Sequence, residues 1–162
     1  MSAVSTTALR LPAYYPLVQS YRPTGKTLPF KAPDQSRAAK NPALFPLHDQ
    51  LGHIAILPDN WDGHRSARPH PSSVEAARQF IEDLYLQIQG LETAAWQTPH
   101  ISASEDGEIV FEWWNGNRKL TIYVGPRELT YVKSWGPHVV NDMEDGVVPD
   151  GGMPLLWGWL FE

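Results

Sequence analysis

Apolar residues recur at helical spacing at Leu47, Leu51, Ile54 and Ala55, and the run stops at Pro58. This predicts a short helix over residues 47–57, with Asp49 in the first turn, where the helix dipole favours an acid. A longer stripe follows at Val74, Ala77, Ile81, Leu84, Ile88 and Leu91. Ser72 and Glu75 have the spacing of a capping box, with Pro71 just outside it, and Gly90 stands where a helix would end. Arg78, Glu82 and Asp83 fall off the stripe, so this helix is expected to bury one face and wet the other.

Past Pro99 the period changes from helical to two. Residues 100–104, 109–114, 120–124 and 129–135 read as strands, separated by Asp106-Gly107, Asn115-Gly116-Asn117 and Gly125-Pro126-Arg127, each a turn signal at hairpin distance. Alternation puts Ile109, Phe111 and Trp113 on one face with Glu112 opposite, and groups Leu120, Ile122 and Val124. The expected fold class is α+β: an antiparallel four-stranded meander packed on one long helix plus a short helix. Beyond Gly136 the pattern weakens. The stretch from Asn141 to Gly146 clusters three acids and reads as a loop. Leu155 to Phe161 is too apolar to be a free tail and is expected to dock on the second sheet face or on another chain.

The N-terminal region is different in kind. Residues 1–45, read as an extended Pro-rich arm, precede a single α+β domain over residues 46–162. Seven of the 15 prolines lie at or before Pro46, which excludes a long helix or a central strand there. Tyr14, Tyr15, Leu17 and Phe30 are too apolar to stay wholly in water, so the arm is expected to drape over the body or a partner. Up to Leu47 the chain carries Arg10, Arg22, Lys26, Lys31, Arg37 and Lys40 against Asp34, a net of +5 in a chain of net −5, which leaves −10 for the body. A basic arm on an acidic body suits contact with nucleic acid or with an acidic partner; a solvated tail is the plainer reading.

The chain has no cysteine, which rules out disulfides, thiolate metal sites and cysteine nucleophiles, and fits a cytoplasmic protein. No apolar run approaches bilayer-spanning length and no secretion signal is legible, so no membrane association is expected. There is no phosphate-binding glycine loop and no nucleophile elbow. Seven tryptophans and six tyrosines invite a stacking platform, but such platforms adjoin basic grooves and this body is acidic.

The chemistry-bearing stretch is Leu57-Pro-Asp-Asn-Trp-Asp-Gly-His-Arg-Ser-Ala-Arg-Pro-His-Pro71. Its plainer reading is structural. Trp61 would plug the gap between the two helix ends, Asp62 would bond nearby backbone donors, and Gly63 would supply the positive φ of a sharp reversal. The sharper reading gathers Asp59, Asp62, His64 and His70 around zinc or manganese, which carboxylate and imidazole both suit. Their spacing matches no specific metal motif, and the expectation is a protein with no cofactor.

The residues from Leu57 to Gly63, the proline before Ser72, Ala76-Ala77, Pro99-His-Ile, Asp106 to Trp113 and Leu120-Thr-Ile resemble a family of small uncharacterised bacterial and phage proteins. These carry a Trp-Asp-Gly-Tyr-Gly-Ala loop, a capped helix and a Leu-Glu-Trp strand. The resemblance covers about half of the chain and departs at His64, Arg65 and Ser66, where the family has Tyr-Gly-Ala. It implies the fold and names no reaction.

These features lead to the expectation of a non-enzymatic macromolecule-binding protein. An inhibitor, antitoxin or immunity protein, or a phage anti-defence protein such as an anti-CRISPR, would act in this way by occupying a partner's surface. The expected contacts are Asp142, Glu144, Asp145 and Asp150, presented to a basic partner, with Trp157 and Trp159 as aromatic anchors that also allow homo-oligomers. The alternatives are a metal-dependent enzyme built on Asp59, Asp62, His64 and His70, and a nucleic-acid-binding accessory protein that uses the basic arm.

Overall fold

A computed structural model describes residues 41–91, 95–138 and 140–162. Residues 1–40, which hold nearly all of the predicted arm, lie outside the described residues. A 3-10 turn, Pro42–Leu44, is capped by Asn41, whose side chain accepts from the Ala43 amide at 3.1 Å. It leads into α1, Phe45–Ala55. The helix therefore starts ahead of the predicted position, with Pro46 in its first turn, where a missing N–H costs nothing. Leu44 is already buried.

The long helix α2 is Pro71–Gln89, and five of the six predicted stripe residues, Val74, Ala77, Ile81, Leu84 and Ile88, are buried in it, joined by Phe80 and Tyr85, while half-buried Leu91 falls past its end. Its start is a correction. Pro71 takes the first helical position, His70 is the N-cap and no side chain caps the helix, so the Ser72/Glu75 box does not form. Proline's fixed φ suits the first turn, and that pulls the helix start ahead of Ser72.

The sheet is an antiparallel meander in the order β1 (His100–Ala103), β2 (Ile109–Asn115), β3 (Arg118–Val124), β4 (Leu129–Ser134), β5 (Met143–Val147). It has five strands where four were expected, because the acidic stretch predicted as a loop pairs with β4, from Thr130 opposite Val147 to Ser134 opposite Met143. The register of β2, β3 and β4 aligns three rows on one face: Ile109, Val124 and Leu129; Phe111, Ile122 and Tyr131; Trp113, Leu120 and Lys133. This face carries the helices. The Phe80 ring of α2 lies 5.3 Å from that of Phe111, and the Gln50 amide of α1 donates to the Ile101 carbonyl of β1 at 3.1 Å.

The apolar C-terminal stretch is a helix, α3, Met153–Phe161. It was expected on the second face or on another chain; instead it lies on the face that carries α2. The Trp157 ring sits 5.6 Å from that of Trp113 in an edge arrangement, and the Asn115 side chain donates to the Leu160 carbonyl at 2.9 Å. Three α-helices among the described residues thus share one core with one sheet face. The other face presents Trp114, Lys119, Glu112 and His100, with Glu112 accepting from Lys119 and contacting His100.

Candidate functional site

The loop between α1 and α2 is held by its own polar groups. Asn60, Gly63 and Arg65 have positive φ, at 62°, 77° and 71°. The Asn60 side chain accepts from the Arg65 amide at 2.7 Å, and the Asn60 amide donates to the Ser66 carbonyl at 2.7 Å. Asp62 accepts from the Ser66 hydroxyl at 2.6 Å and from the His64 amide at 2.8 Å; these two bonds, the hydroxyl first, hold its carboxyl below the ordinary carboxylate range. Asp59 accepts from the Arg68 amide at 3.0 Å. The loop is tied to the β1–β2 turn where Ala67 donates to the Glu105 carbonyl and His70 to the Gly107 carbonyl. Gly107 is required there: its φ is +79° and a Cβ would come within 2.5 Å of the Arg68 carbonyl oxygen.

Trp61 lies in the loop between the helices and not in the shared core. It is half-buried, outside the core cluster, and its indole N–H donates to the Ala67 carbonyl at 3.3 Å. Asp59 and Asp62 are turned to loop donors, His64 and His70 are exposed, and among the described residues no three acidic or histidine side chains gather to hold a metal ion.

The four acids predicted to act together have different roles. The Asp142 carboxylate accepts from the His138 amide at 3.1 Å, closing the turn between β4 and β5. Glu144 projects on the helix side of the sheet, where it accepts from the Tyr131 hydroxyl at 2.8 Å and pairs with Lys133 at 2.9 Å. Lys133 and then Tyr131 hold the Glu144 carboxyl below its ordinary range, and Glu144 in turn raises the Tyr131 hydroxyl. Asp145 points to the opposite side. It and Asp150 are exposed, with no hydrogen-bond or ion-pair partner among the described residues.

The two aromatic candidates also separate. Trp157 is 0% exposed, so in this fold it cannot offer its ring to a partner. It is stacked 6.0 Å from Trp96 and lies 5.1 Å from Phe161. Trp159 is half-buried. Arg118 lies over its ring at 5.5 Å and Lys133 at 5.2 Å, and Trp135 meets it edge-on at 6.0 Å. Arg118 also donates to the Trp159 carbonyl. Arg118 and Lys133 thus fix α3 to the sheet.

What sequence reading missed is the edge. β5 is the outer strand of the sheet, and among the described residues no strand pairs with its far side. Met143 is 37% and Val147 59% exposed, and they flank Asp145 on the side away from the helices. Alternation of Met143, Asp145 and Val147 against Glu144 and Gly146 was the available signal, masked by two adjacent acids and a glycine. Comparisons with protein-family models, with curated proteins and with solved structures find no match to this chain. Among the described residues no helix is long and apolar enough to cross a membrane.

Proposed function

We propose that this chain is a non-enzymatic macromolecule-binding protein that acts by occupying a surface of a partner protein, in the manner of an inhibitor, an antitoxin, an immunity protein or an anti-CRISPR-like anti-defence protein. The observation that carries the reading is the outer strand β5. Among the described residues nothing pairs with its outer side; it displays Met143 and Val147, with Asp145 between them and Asp150 shortly after the strand, both exposed and without a partner among the described residues. Exposed acids of this kind speed encounter with a basic partner and contribute little to folding.

The test is capture from host lysate by the tagged full chain, followed by association kinetics with the purified partner. Asp145→Asn combined with Asp150→Asn should slow association and flatten its dependence on salt, at an unchanged melting temperature. Wild-type kinetics and salt slope in that variant would refute the assignment to these acids. Stoichiometric zinc or manganese in the purified protein, with an activity lost on chelation, would favour the metal-dependent enzyme instead.

A further inference from the structure

We propose that the outer edge of β5, which no strand among the described residues pairs with, accepts an extended basic segment of the partner as an added strand, an inference that rests on the partner-occupying reading above. The two sides of β5 are unequal. On the helix side, Glu144 is taken by Tyr131 and Lys133, and a Cβ at Gly146 would approach the Tyr131 ring within 3.2 Å, so this side is filled. On the other side Met143, Asp145 and Val147 form an apolar–acid–apolar row that nothing described engages.

A strand laid along β5 would make main-chain hydrogen bonds and be read through this row. Opposite-charge cross-strand pairs stabilise and like-charge pairs destabilise, so the residue facing Asp145 should be lysine or arginine, with apolar neighbours facing Met143 and Val147. A second copy of the chain is a poor occupant. The antiparallel register that pairs all of β5 with its copy sets Asp145 against Asp145, with Glu144 one step away. The acids that protect this edge from self-association thereby select a basic strand. Asp150, exposed just beyond β5, adds to the same field.

The experiment uses the full chain and two end-blocked synthetic peptides, Val-Thr-Lys-Thr-Val and Val-Thr-Glu-Thr-Val, followed by amide chemical shifts and hydrogen exchange. The lysine peptide should shift and protect amides along Met143–Val147 and bind roughly five-fold more tightly than the glutamate peptide, a preference that shrinks with salt. Asp145→Lys should reverse the preference and Asp145→Asn should abolish it, both with wild-type melting, because Asp145 has no hydrogen-bond or ion-pair partner among the described residues. Equal binding of the two peptides, shifts away from β5, or a preference that survives Asp145→Lys would overturn the proposal. Undiminished partner capture by Asp145→Lys, with no peptide on β5, would sink the strand-addition idea and leave the broader function standing. Failure of the chain to capture any partner, with the lysine peptide still landing on β5, would do the reverse.

Discussion

Trp157→Ala separates the role predicted for this residue from the one its surroundings define. If Trp157 were a contact, the variant would fold normally and bind poorly. Its ring is instead fully buried among Trp96, Trp113 and Phe161. A buried tryptophan hides about 200 Å², worth about 5 kcal/mol at about 25 cal/mol per Å². Residual compactness of the unfolded chain lowers that figure and the cavity left behind raises it, for a net loss of about 3–5 kcal/mol. No side-chain hydrogen bond to a described residue is lost, because the Trp157 indole N–H has no acceptor among the described residues. Trp157→Phe removes that unpaired donor, whose burial costs about 1–3 kcal/mol, and should therefore lose only about 1–2 kcal/mol. Urea unfolding followed by far-ultraviolet circular dichroism measures both, with the midpoint falling at constant slope. A loss below about 1 kcal/mol for the alanine variant, where cavity-forming core substitutions cost several, would mean that α3 is not seated on the sheet and that its aromatics are open to a partner.

Trp61→Ala should cost less than Trp157→Ala, about 1–2 kcal/mol by thermal melting, because the ring is half-buried and its one hydrogen bond is to its own loop; a loss as large as that of Trp157 would restore the clamp between the helices. Arg65→Gly should stabilise by about 0.5–1 kcal/mol, since Arg65 holds φ at 71° where glycine carries no Cβ penalty; a destabilised variant would show that the arginine side chain matters more than its backbone. His48, against Glu82 at 3.3 Å between α1 and α2, is held below the ordinary histidine value of 6.5 by burial, with Arg78 assisting and Glu82 opposing. As pH falls below 6.5 the unfolded chain binds the proton first, so stability is lost on the acid side and retained above it; a His48→Gln variant with the same acid limb in urea midpoints would remove His48 as its cause. Asp142→Asn with Glu144→Gln should lower the melting temperature, unlike the Asp145/Asp150 pair, because these two carboxylates accept bonds that hold the β4–β5 turn and Tyr131; equal melting of the two double variants would refute that division.

The parts of the fold that were legible in the sequence are those whose signals are local. The hairpins of β1 to β3 announce themselves through Gly107 and Gly116, whose φ values of 79° and 60° are the backbone cost that glycine removes. The buried stripe of α2 survives because each of its members sits one helical turn from the next. β5 and α3 were illegible for the opposite reason. Met143-Glu-Asp-Gly-Val147 has little strand propensity of its own, and its extended form comes from the ladder to β4 and the grip of Lys133 and Tyr131 on Glu144. Met153–Phe161 is apolar all round, so no period marks it as a helix, and only the tryptophan cluster and the Arg118 and Lys133 stacking determine where it lies.

The same physics divides the candidate site. Composition groups Asp142, Glu144, Asp145 and Asp150 as one acidic surface, but a strand's period of two sends neighbouring side chains to opposite faces. Glu144 is thereby brought to Lys133, and Asp145, one residue on, is delivered to solvent. Asp142, at the turn, serves the His138 amide. The carboxylates left without a partner among the described residues are therefore Asp145 and Asp150, two of the four that composition groups, and only Asp145 lies on the outer strand β5. If a strand adds to β5 as proposed, that single charge discriminates sharply, because each added main-chain bond fixes which residue must face Asp145.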